Sequence, residues 1–220
     1  MLKRGERMKK GYSKMFGWLF IGLLITFGTG FALSKYPITL VKLLGGYKYI
    51  ILVVLELAVA IFFSARLAKM SKTTAIICYT LYTALTGLTF GTIFTVYKLG
   101  SIIMVFLATS LMFLIFAIIG YVTKKDLGKF GMWLFMALIA TIILTIINIF
   151  VKSSSFEFAI SILFIVIFLG YVVFDMKNAE KIIESVGEEK GAIFGAFQLY
   201  IDFINLFIEL LNLIGDVKDN

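Results

Sequence analysis

The sequence predicts an all-α integral membrane protein, a seven-transmembrane-helix bundle forming one domain over residues 1–220. Three observations carry that reading. The chain is 61% hydrophobic and 15% charged, with a mean hydropathy of +1.03, whereas soluble domains are about half apolar and a quarter charged. Apolar runs of near-spanning length recur seven times, each close to the roughly 20 residues that a helix needs to cross the hydrocarbon. Basic residues gather mainly between those runs, where membrane topology accounts for them.

The spans fall at 15–34, 49–67, 74–96, 101–122, 130–151, 156–174 and 193–214. The first is long for a signal-peptide core, and no small-residue cleavage site clearly follows it, so it is read as a retained helix. The second, containing LVVLELAVAIFF, carries Glu56 in its middle and Arg66 at its end. The third holds Thr80, Thr83, Thr86, Gly87 and Gly91 at mostly threefold or fourfold spacing, a pattern that lets helices approach closely. Cys78 in the same span reads as a small core filler. The sixth closes on LGYVVFD, where Tyr171 and Asp175 share a face at i, i+4. After it comes DMKNAEKIIESVGEEKGA, residues 175–192, whose mixed charges read as a solvated loop with one or two helical turns. No linker or internal repeat marks a second domain.

Lys3, Arg4, Arg7, Lys9, Lys10 and Lys14 precede the first span. With that tail inside, 15 basic residues lie on the inner side and 6 on the outer. The positive-inside rule then puts the N-terminus in the cytoplasm and, after seven crossings, the C-terminus outside. The net charge of +8 is thereby absorbed by topology, and no nucleic-acid partner is expected. A single cysteine precludes a disulfide within the chain, and the lack of histidine removes both the usual near-neutral pH switch and the commonest transition-metal ligand.

The last span is the most informative. In LYIDFINLFIELL the polar residues Asp202, Asn205 and Glu209, with Gln198 before them, recur at spacings of 4, 3 and 4. At about 100° per residue they lie within an arc of roughly 60°, a narrow polar seam on an apolar helix. A carboxylate in mid-bilayer costs roughly 2.5–3.5 kcal/mol on insertion scales, so each one needs a partner, water or a function. An ion or proton path is one answer, and hydrogen bonding between helices is the other. The same choice stands at Glu56, while Arg66 reads either as a partner or as a snorkelling side chain. Asp175 reads either as a partner or as a solvated helix end.

Three stretches together resemble the transmembrane Bax-inhibitor-motif family: SARLAKMSKTTAIICYTLYTALTGLTFGTIF at 64–94, LGYVVFDMKNAEKI at 169–182 and LYIDFINLFIELLNLIG at 199–215. The last is the most specific, being very similar to a LYLDFINLF run in that family. The resemblance implies a seven-helix protein that leaks calcium across its membrane in a pH-dependent way. Bacterial members occupy the plasma membrane, and eukaryotic relatives in the endoplasmic reticulum and Golgi suppress cell death. It further implies that Asp175 and Asp202 form a carboxylate pair, that Arg66 latches onto the pair in the closed form, and that Glu56 lines the path. This sequence departs from the family in reading GLTFGTI where GLTLSPI is common, and in carrying Glu209 where a neutral residue is usual.

The chemistry is coherent. Two carboxylates in contact cannot both ionise cheaply and titrate as a unit, which supplies a proton switch without histidine. Arginine favours the charged pair, and protonation weakens that clamp. Carboxylate and amide oxygens suit calcium, and two Asp residues bind it weakly enough to let it pass. The expectation is a passive calcium leak without a tightly bound cofactor and without enzymatic activity. Asp175, Asp202 and Arg66 are its sensor and gate, and Glu56, Asn205 and Glu209 lie along the ion path. Its partners are the lipid bilayer, calcium ions and protons. The rivals are a proton-coupled cation transporter and a non-conducting membrane scaffold. An intramembrane aspartyl protease lacks its Gly-x-Gly-Asp signature, and a retinal protein lacks a lysine in 193–214. The short chain and lysine-rich tail fit a prokaryotic plasma membrane.

Overall fold

The computed structural model describes residues 2–218, with side chains from residue 5, so the Lys3 and Arg4 side chains of the basic tail lie outside it. Eight α-helices account for most of the described chain: α1 (Leu2–Ser34), α2 (Pro37–Leu44), α3 (Tyr47–Arg66), α4 (Lys72–Val96), α5 (Leu99–Val122), α6 (Gly128–Val151), α7 (Ser154–Val186) and α8 (Glu188–Ile214). All but α2 are long and apolar enough to cross a membrane, so the fold is all-α with seven spans. The helices run past the apolar runs. In particular, the solvated loop expected at 175–192 is helical throughout, except at Gly187. The reason is visible in Lys177, Glu180, Lys181 and Glu184, whose threefold and fourfold spacings support a helix as well as a surface. Gly187, at φ +94°, stops α7 and lets α8 begin at once.

The chain forms two compact units. The first comprises the chain up to Tyr97, Ala179–Tyr200 and the segment from Val217; the second comprises Lys98–Asn178 and Ile201–Asp216. In the first, α1 and α4 meet closely. A Cβ added at Gly87 of α4 would stand 2.7 Å from the Thr29 Cβ, and one at Gly30 of α1 would stand 2.8 Å from the Phe90 Cβ. The expected packing role of Thr83, Thr86, Gly87 and Gly91 is met by their burial, though Thr80 is exposed. Several polar groups inside this unit are hydrogen-bonded. The Thr26 hydroxyl donates to the Thr83 carbonyl at 2.9 Å, so the Tyr200 hydroxyl, 2.5 Å away, donates to Thr26. Tyr79 donates to the Trp18 carbonyl at 2.7 Å. At one end, Lys14 bridges Glu188 and Glu189, Lys72 meets Glu189 at 2.9 Å, and Lys190 donates to the carbonyls of Ala68 and Met70. The start of α8 is thereby tied to α1, α4 and the turn after α3.

In the second unit, small residues again set the helix spacing. A Cβ at Gly120 of α5 would lie 2.9 Å from the Met176 Cβ of α7, and one at Gly170 of α7 would press on Leu134 of α6. Phe203 of α8 packs edge-on against Phe106 and Phe113 of α5, at centroid distances of 5.5 and 5.6 Å. Along α8, 78% of the span is buried, against 11% along α6. Within the polar seam Asp202 is buried, while Gln198, Asn205 and Glu209 are partly buried.

The α1–α4 contact predicts a contrast between two glycines. Gly87→Leu inserts four carbons where none fits and should cost about 1–3 kcal/mol of stability. Gly28→Leu, at an exposed position with nothing within 4 Å of its Cβ, should cost less than about 1 kcal/mol. Thermal unfolding of the two variants in detergent checks the difference.

Candidate functional site

Asp175 of α7 and Asp202 of α8 are 6% and 3% exposed, and their side chains hydrogen-bond to one another. Ionised carboxylates are acceptors only, so a hydrogen bond between two carboxyl groups requires one of them to carry a proton. Asp175 does not close its helix as the sequence suggested. About three further turns of α7 follow it to Val186, which explains why it is buried and not solvated.

The local sequence builds this position from both sides. Gly120 lets α5 approach α7 beside Asp175, and the absent side chain of Gly131 makes room for the Phe174 ring. On α8, Phe203 adjoins Asp202 and fills the space toward α5. These apolar walls leave the pair largely dependent on itself. Asp202 Oδ2 is buried with no hydrogen-bond partner among the described residues, a condition that costs about 1–3 kcal/mol for a polar atom. Tyr171, one turn before Asp175, is partly buried and within electrostatic reach of both carboxyls.

The other predicted residues are placed as follows. Glu56 of α3 is partly buried, with Oε1 inaccessible and lacking a hydrogen-bond partner among the described residues, and it lies within electrostatic reach of Tyr82 on α4. Arg66 ends α3 with an exposed side chain and belongs to the first unit, whereas the two Asp residues belong to the second. Asn205 donates its side-chain amide to the Ile201 carbonyl at 2.8 Å, so its nitrogen serves its own helix. Glu209 hydrogen-bonds Ser161 of α7, with Glu157 close enough to interact electrostatically. Sequence reasoning missed Glu157, Ser161 and Asn212. A signal existed for Asn212, which extends the α8 seam by one further step of three, but a serine in an apolar run gives none.

The chain matches the profile of the family described as "Inhibitor of apoptosis-promoting Bax1" over residues 8–219. It is 34% identical over 211 residues to the inner membrane protein YbhL of Escherichia coli, covering 93% of this chain and 90% of that one. A protein of Borreliella burgdorferi is 35% identical over 217 residues, covering 96% and 94%. One of Rickettsia prowazekii is 32% identical over 219 residues, covering 97% and 92%. The chain belongs to the Bax-inhibitor family.

The hydrogen-bonded pair predicts an asymmetry between two substitutions. Asp202→Ala strips Asp175 of that bond and leaves a cavity, and should cost about 1–3 kcal/mol. Asp202→Asn retains a donor and the shape, and should stay within about 1 kcal/mol of the parent. Thermal unfolding in detergent measures both, and equal losses would contradict the pairing.

Proposed function

We propose that this family member is a passive, pH-gated calcium leak of a prokaryotic plasma membrane, with its N-terminus in the cytoplasm and its C-terminus outside. The observation that carries the reading is the buried Asp175–Asp202 hydrogen bond. A pair that holds a proton in an apolar setting is a two-state element: losing the proton creates like-charge repulsion that a cation must relieve. In this reading Arg66 supplies that cation in the closed state, by a movement that brings its exposed guanidinium to the ionised pair. Reprotonation releases it and opens the path. Calcium passes by weak, successive contacts with carboxylate and amide oxygens, with Glu56, Asn205 and Glu209 along the route. The membrane setting is supported by the seven spans and by the resemblance to an inner membrane protein. The orientation is supported by the 15-to-6 distribution of basic residues.

A proton-coupled cation transporter is the second reading, and the same shared proton favours it. Imposed gradients separate the two. A leak carries calcium only down its own gradient, and a transporter drives it uphill when only a proton gradient is applied.

Calcium uptake into liposomes holding the purified chain tests the proposal. Flux should rise as pH falls from about 8 to 6. Asp175→Asn with Asp202→Asn should abolish that dependence. Arg66→Gln should raise the flux at pH 8 toward its value at pH 6. A pH response preserved in the double variant would remove the sensor assignment.

A further inference from the structure

Along one side α6 and α7 leave between them a groove of about 520 Å³, a volume in the range of small-molecule sites. Its floor includes Leu134, Thr141 and Ile167, all buried, and its rims carry Trp133 of α6 and Val166 of α7, both exposed. We infer that this groove holds one acyl chain of an anionic phospholipid, whose phosphate rests on Lys124, Lys125 and Lys129 around the start of α6. Nothing in this assignment depends on the calcium leak.

The chemistry of the lining selects an alkyl chain. Gly170 brings the α7 backbone against Leu134, where an added Cβ would stand 2.6 Å from the leucine Cδ2, and this closes the floor. Ala137 and Ala140 are too short to fill the space between the rims. Apart from the Trp133 indole at the rim, Thr141 is the one polar side chain of the lining, and its hydroxyl already donates to the Ala137 carbonyl at 2.8 Å. A polar ligand would lose its hydration there for little return, whereas a hydrocarbon chain has none to lose. α6 is also the least buried of the seven spans, at 11%, so the groove opens toward the surrounding hydrocarbon. From Phe130 to Leu144 its α6 side extends about 21 Å at 1.5 Å per residue. One leaflet's share of the hydrocarbon is roughly 15 Å, so a whole acyl chain fits.

Charge decides which end takes the headgroup and which lipid supplies it. Lys129 precedes Trp133 by one turn, so the two share a face of α6 and the lysine stands about 6 Å beyond the rim. Lys124 and Lys125 come just before the helix. All three lysines are exposed, and Asp126 is the one acid among them. Beyond the opposite end of the groove, Lys152 and Glu157 carry opposite charges. The excess of positive charge thus lies at the Trp133 end, and tryptophan is itself a residue of the headgroup boundary. A headgroup with a net negative charge is drawn there, and a zwitterionic one, neutral overall, is drawn far less. In the orientation proposed above this end lies in the cytoplasmic leaflet, where anionic lipids set the surface charge.

The test uses the full chain in phosphatidylcholine vesicles. Trp18→Phe leaves Trp133 as the only tryptophan, a reporter on the groove rim. Phosphatidylglycerol or phosphatidylcholine brominated on its acyl chains is titrated in, and each quenches tryptophan fluorescence on contact. Half-quenching by the brominated phosphatidylglycerol should need about a tenfold lower mole fraction. Lys124→Gln with Lys125→Gln and Lys129→Gln should bring the two lipids to within about twofold of each other. Ala137→Leu with Ala140→Leu, which fills the groove and keeps the lysines, should also remove the preference. Equal half-quenching by the two lipids in the parent overturns the assignment, because the groove then holds ordinary surrounding lipid. A preference that survives the lysine substitutions, or that survives filling of the groove, overturns it too. Quenching by neither lipid shows that protein, a second copy of the chain included, covers the groove, with the same consequence. The three lysine positions are exposed, so that variant decides the matter even where the filled groove fails to fold.

Discussion

A carboxylate placed among membrane spans must be neutralised, hydrated or paired, and this constraint organises the molecule. Asp175 and Asp202 meet it by pairing with each other between two helices. Glu209 meets it in part through Ser161, and Glu56 lies within electrostatic reach of Tyr82. Each device is local, and in each the partner is a hydroxyl or another carboxyl group. Fixed ion pairs are found instead at the rim, among Lys14, Lys72, Glu188 and Glu189, where water solvates both partners.

Such pairing demands that helices come close, because a carboxyl reaches only a few ångströms. The glycines provide that approach. Gly120 and Gly131 sit at the level of the Asp175 turn, so the same small residues that pack α5 and α6 against α7 also define the walls of the pair. Gly187, at φ +94°, separates α7 from α8.

Hydropathy made the seven spans legible, because an uninterrupted run of about 20 apolar residues is longer than the buried face of a soluble helix and matches the hydrocarbon thickness. The α8 seam was legible too, since three polar residues at helical spacing on an apolar segment leave a period. What stayed hidden had no such signature. The last turns of α7 carry Lys177, Glu180, Lys181 and Glu184, and a charged surface helix and a charged loop have the same composition. The short helix α2 is too brief to show a period. The partner of Asp202 was named only through family resemblance, since nothing in one sequence says which turns of two helices come level. The partner of Glu209 was invisible, because a buried serine carries no pattern. The latch role of Arg66 likewise came only through family resemblance, and its side chain is exposed.

The central claim is that one shared proton sets both the state of the Asp pair and the conductance. Infrared difference spectroscopy of the protonated carboxyl stretch, recorded on the same proteoliposomes that report calcium flux, tests it most directly. The account predicts a carboxyl band that titrates with the same midpoint as the flux and disappears in Asp202→Asn. A flux that responds to pH while the band stays constant would contradict it.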